Sequence, residues 1–128
     1  MEKQKGLYLG TEIGETWWKR YTHAGFFMRG NGTYWMDDKG FFFQRYPMKE
    51  PFFIPFGSML EIKSGTWHSG RWAFGNLIVK IIWQKDNLRL SSGFIVSGNR
   101  QQTLKTIEFL RTKCGWIRET ENPEDLSR

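Results

Sequence analysis

The sequence predicts a mainly β fold of the α+β class. About seven antiparallel strands bend into a barrel or sandwich, and one C-terminal α-helix caps it. Three observations predict this. Short runs rich in aromatic and β-branched residues recur along the chain, the composition that suits a pleated, half-buried surface. Turn chemistry separates them at Gly30-Asn31-Gly32, Asp37-Asp38-Lys39-Gly40, Pro47 with Pro51, and Asp86-Asn87. Helical spacing replaces alternation only after Ser97-Gly98.

Taken in order, residues 1–15 are Gly-rich, with Leu7-Tyr8-Leu9 and Ile13 suited to edge pairing. Thr16-Trp17-Trp18-Lys19-Arg20-Tyr21 reads as a first core strand. Gly25-Phe26-Phe27-Met28-Arg29 reads as a second, closed by the Gly30-Asn31-Gly32 turn. The central hairpin joins Thr33-Tyr34-Trp35-Met36 to the run Phe41-Phe42-Phe43-Gln44-Arg45-Tyr46. Its turn uses an Asp that can bond its own backbone and a Gly that supplies a positive φ. From Phe52 to Lys63 the chain is extended again, with Pro55 demanding an edge or a bulge. Alternation there sends Leu60 and Ile62 one way and Met59 and Glu61 the other.

Residues 64–76 have loop composition but carry Trp67, Trp72 and Phe74 beside His68 and Arg71. Leu77 to Trp83 is the strongest strand. Leu77, Val79, Ile81 and Trp83 share one face, and Lys80 and Gln84 mark the other. Asp86-Asn87 suits a two-residue turn. The return strand points Leu88, Leu90, Phe94 and Val96 inward, and Arg89 and Ser91 outward. Asn99 then caps a helix, with Gln102 placed to complete a capping box. Leu104, Ile107, Leu110 and Cys114 share a side, Arg111 and Lys113 occupy the last turn, and Gly115 ends it. The expected division is an N-terminal segment at 1–15, a domain at 16–116 and an acidic polar tail at 117–128.

With 128 residues the chain has the length of one domain. Its mean hydropathy is -0.56, and no apolar run approaches the ~20 residues that span a bilayer. The basic start, Met1 to Lys5, leads into Gly10, Thr11, Glu12 and Gly14, so a cleaved secretion signal is not expected. The single Cys114 cannot form an internal disulfide, which fits a reducing cytoplasm. Aromatic residues make up 17% of the chain; a small core can absorb many large rings, yet polar-ended Trp and Tyr usually stay partly at a surface. The net charge is +6, from a basic body and a tail with Glu119, Glu121, Glu124 and Asp125. That asymmetry suits an anionic partner, whether lipid surface, nucleic acid or acidic protein; a solubilising surface charge explains it equally well.

Catalysis finds little footing. His23 and His68 have no Cys, His or carboxylate at ligand spacing, and no metal or other cofactor is expected. Asp37-Asp38 has a turn role, Cys114 a core role. There is no phosphate-cradling loop and no nucleophile elbow.

The order of elements resembles the pleckstrin-homology (PH-like) superfold, in particular its GRAM and bacterial PH-like relatives. The resemblance rests on Gly32 to Phe43 (strand, turn, hydrophobic strand), on Ile54-Pro55-Phe56-Gly57-Ser58-Met59-Leu60-Glu61-Ile62, and on Phe94-Ile95-Val96-Ser97 leading into the helix. It covers roughly residues 16–116. It implies a helix plugging one open end of a strongly bent sheet, and loops at the other end that bind anionic lipid head groups or peptides. It also implies a lipid site of basic residues in the first hairpin, where this chain has Trp17, Trp18, Lys19, Arg20, His23 and Arg29.

The candidate binding residues are therefore Lys19, Arg20, Arg29, Trp67, His68, Arg71 and Trp72. Interfacial rings beside cations suit a membrane headgroup zone; the same Trp67, Trp72 and Phe74 could instead fold back over the core. The expected function is a non-catalytic, cytoplasmic module that docks at an anionic membrane surface or on an acidic protein partner. A lipocalin-like barrel for an apolar ligand, and a homo-oligomerising domain, remain open alternatives. Nucleic acid is disfavoured, because one terminal helix suits neither an RRM nor an OB-fold.

Overall fold

Rings at alternate positions of the central strands fill the interior, and the sheet curls around them. The computed structural model describes residues 2–22 and 29–115. In chain order the elements are β1 (Gln4–Ile13), β2 (Thr16–Arg20), β3 (Gly30–Met36), β4 (Gly40–Arg45) and β5 (Phe52–Pro55). A 3-10 turn (Phe56–Ser58) leads to β6 (Met59–Gly65), β7 (Trp67–His68), β8 (Arg71–Trp72), β9 (Ile78–Lys85), β10 (Leu88–Ile95) and helix α1 (Arg100–Lys113). The large sheet runs β5-β4-β3-β1-β10-β9-β6, all antiparallel, with β2 added beside β1. Its two ends, β5 and β6, are joined by the 3-10 turn alone. The mainly β fold closed by a C-terminal helix is thus the one the sequence predicts. The seven strands of the sheet's path match the expected number.

Inside, Tyr8 lies 4.9 Å from Phe52 and 5.4 Å from Phe94, and Phe41 is 4.7 Å from Phe94, ring centre to ring centre. Such tilted contacts add to the burial of the rings themselves. Trp83 donates its indole N–H to Ser92 Oγ at 3.0 Å, and Thr11 Oγ1 lies 2.7 Å from the same oxygen.

β1 corrects the expected edge role of Leu7–Leu9 and Ile13. One of its edges is given to β10 along Leu7–Ile13; the other is shared, β3 taking Gln4 to Tyr8 and β2 taking Glu12 and Ile13. Because β2 holds only that short stretch of one strand, it is no core strand. Trp17 and Trp18 are 52% and 65% exposed. Gly30-Asn31-Gly32 lies within β3, because Gly32 passes directly against Arg45 and Gln44 of β4, too close for any side chain. The predicted strand at 25–29, except for Arg29, lies outside the described residues, as do His23 and the tail from 116.

Two other expectations fail for local reasons. A register shift between Met59 and Glu61 puts Met59 and Ile62 inside together and Leu60 outside at 48% exposure. Ser91 is buried, not outward, because β7 and β8 form a second layer over that face. In α1, Asn99 Oδ1 accepts the Gln102 N–H at 3.1 Å, as predicted. The buried face, however, is Thr103, Thr106, Ile107 and Leu110. At about 100° per residue Leu104 falls well to one side of that stripe. Gly115, with φ 76°, ends the helix and donates its N–H to Phe56 O at 2.9 Å.

Candidate functional site

The predicted loop at 64–76 holds a miniature hairpin. Ser69 and Gly70 both have positive φ, 51° and 79°, the two-residue turn whose twist matches paired strands. Pairing sets Trp67 opposite Trp72, and His68 opposite Arg71. Opposed residues share a face, so when His68 turns inward both indoles turn outward.

His68 is the pin that fixes the hairpin. Its ring packs on Gly93 of β10, where a Cβ would overlap it. Gly10 O can only accept, so the proton sits on His68 Nε2, which donates across 3.0 Å. Nδ1 has no hydrogen-bond partner and lies 3.8 Å from Glu12 Oε2. Burial pushes the imidazole below its ordinary pKa, and the Glu12 carboxylate only partly opposes this. Below the pin, the Ser69 N–H donates to Glu12 Oε2 at 2.7 Å. Ser69 O accepts from Arg29 Nη2 at 2.7 Å and from Arg20 Nη2 at 3.1 Å. Leu9, Ala73 and Ile78 complete a small apolar cluster.

Around this anchor the rings line up. Trp18 meets Trp17 edge-on at 5.6 Å. Trp17 lies over Gly70 and forms a cleft with Trp67. Trp67 pairs with Trp72, whose ring is 5.0 Å from Phe74. Trp67, Trp72 and Phe74 are 50%, 55% and 83% exposed, so they do not fold back over the core. Phe74 is also held at φ 52°, a conformation bulky residues rarely adopt.

The structure thus brings together two predicted groups that are distant in sequence: Lys19 and Arg20 of β2, and Trp67, Arg71 and Trp72 of the hairpin. Lys19, Arg20 and Arg71 are exposed. Arg29 is half-buried and serves the clamp. His68, at 0% exposure, is no surface contact; the fit of its ring on Gly93 removes it from the expected binding set. Sequence reasoning left Trp17, Trp18 and Phe74 out of that set. Their signal, polar-ended or very large rings that usually stay partly at a surface, was present but carried no direction.

A larger groove of about 540 Å³ lies between α1 and the β3–β4 turn, lined in part by Asp37, Asp38, Lys105 and Phe109. Its two carboxylates against one ammonium oppose an anionic surface. By β-sheet register it also lies beyond the Gln4 end of β1, away from β2.

Among the described residues no helix is long and apolar enough to cross a membrane, and no group of His, Cys, Asp and Glu is placed to hold a metal ion. No curated protein and no solved structure matches the chain. A family model described as bacterial PH domain-like matches residues 1–109, from before β1 into α1. The bent sheet, its C-terminal helix and this match agree: the chain belongs to the bacterial PH domain-like family.

Proposed function

We propose that the protein is a non-catalytic binding module that docks on an anionic membrane surface through Trp17, Trp18, Trp67, Trp72 and Phe74. The observation that carries this is the set of five large rings along β2 and the β7–β8 hairpin, each at least half exposed, on a basic protein. Water is a poor solvent for such a set, and indoles favour the zone where acyl chains meet head groups. Lys19 and Arg20 follow Trp17 and Trp18 in β2, and Arg71 precedes Trp72 in β8; all three are exposed, and each cation near an anionic leaflet adds about 1 kcal/mol. Membership of a family of binding modules supports the coarse part of the reading.

Co-sedimentation with phosphatidylglycerol and phosphatidylcholine vesicles tests it, at low and high salt. We expect binding to the anionic vesicles that weakens with salt, and a loss of about tenfold or more in Trp67→Ala/Trp72→Ala. Absence of binding to either vesicle overturns the reading. Binding instead to single-stranded oligonucleotides or to acidic protein would reassign the same rings and cations.

A further inference from the structure

Beside the rings lies a site with its own chemistry. The cleft between Trp17 and Trp67 has a volume of about 270 Å³ and reaches Glu12, Ser91, Lys63 and Lys80. That is slightly below the ~300 Å³ at which drug-sized pockets begin, so it admits a compact polar solute and not an acyl chain.

The charges decide which solute. Glu15 at the rim is already matched: Lys63 Nζ is 2.7 Å from Oε1, and Arg89 Nη2 is 3.4 Å from Oε2. Two groups are left over. Glu12 accepts the Ser69 N–H, but its ion-pair neighbour is His68, which burial keeps neutral at ordinary pH. Lys80 is half-buried with its ammonium against Gly65, and among the described residues it enters no ion pair and no hydrogen bond. A simple anion would satisfy Lys80 and face Glu12. A simple cation would satisfy Glu12 and face Lys80. Two indoles line the cleft, and an indole is the ring an organic ammonium prefers.

We propose that this cleft binds an ammonium–phosphate zwitterion, the ammonium lying between the Trp17 and Trp67 faces towards Glu12 and the phosphate at Lys80. Where the zwitterion is a lipid headgroup, the inference rests on the membrane-docking reading and adds selectivity to it. Where it is a free solute, the cleft works without a membrane.

The probe is O-phosphoethanolamine, titrated into the full chain and followed by the indole N–H resonances, with ethanolamine and inorganic phosphate as half-ligand controls. Saturable shifts at Trp17 and Trp67 are expected, with each half-ligand at least about threefold weaker. Lys80→Gln disturbs no described bond, and Glu12→Gln keeps an oxygen for the Ser69 N–H. Each should weaken binding at least about threefold while the remaining spectrum stays folded. In the vesicle arm, replacing phosphatidylcholine by phosphatidylethanolamine at constant phosphatidylglycerol should raise affinity, and Lys80→Gln should abolish that increment.

Equal, unsaturable shifts with all three solutes, or an unchanged affinity in both variants, overturn the inference. If binding to phosphatidylglycerol persists in that case, the docking reading survives alone. Saturable phosphoethanolamine binding without any vesicle binding supports the cleft and removes the docking reading.

Discussion

His68 shows how one residue can be read correctly in type and wrongly in place. A histidine among tryptophans and an arginine suggests a wet, cationic surface, yet its ring lies at 0% exposure over Gly93. The pH dependence follows from that burial. Its folded pKa is lowered from 6.5, so the unfolded chain binds the proton more readily and protonation favours unfolding. The stabilisation is fully present above pH 6.5 and is lost as pH falls towards the folded value. Melting temperature should therefore drop from pH 7.5 to 5.5, and His68→Gln, which can still donate to Gly10 O, should drop less. Parallel curves for the two proteins would overturn this. The contact was not legible in the sequence, because Gly10, Glu12 and Gly93 come from strands remote from residue 68. Only the assembled sheet sets a glycine under the imidazole.

At the scale of elements, local chemistry was the most legible part. Asp37 Oδ1 accepts the N–H of Lys39 at 2.7 Å and of Gly40 at 3.2 Å, as its turn position implied. Asp86 and Asn87 both take positive φ, 50° and 65°, in the β9–β10 turn. The helix start is legible for the same reason: a cap is decided within four residues. Asn99→Ala should cost about 1 kcal/mol, read as a fall in denaturant midpoint at unchanged slope. A loss below a few tenths of that would mean Ser97, whose Oγ accepts the Asn99 N–H at 2.9 Å, holds the turn alone. Elements whose fate depends on neighbours were less legible. Thr16 to Tyr21 has the composition of a core strand, yet β3 and β10 already hold most of the edges of β1. Composition records what a strand could bury, and topology decides whether it does.

Over the whole molecule, the buried rings and the exposed rings occupy different layers. Phe94 touches Tyr8, Phe41, Phe43 and Phe52, with ring centres 4.7 to 6.0 Å away, so Phe94→Ala removes the hub of the interior. Its expected cost is about 3–5 kcal/mol, measurable by chemical denaturation; a loss under about 1 kcal/mol would mean that the rings repack. The predicted fold class rested in part on this interior, whose rings stand in short aromatic-rich runs between turns. The aromatic surface could not be read that way, since it forms only where β2 and the β7–β8 hairpin meet. That hairpin belongs to a separate two-stranded sheet. Its described polar ties to the barrel run through His68, the backbone and hydroxyl of Ser69 and the side chains that meet them. An attachment of this kind makes the tip an interchangeable cassette. Arg71, Trp72 and Phe74 can drift or be replaced while Ala73 keeps its place against Leu9 and Ile78 and the barrel continues to fold around its own rings, so new specificities can evolve on an unaltered chassis.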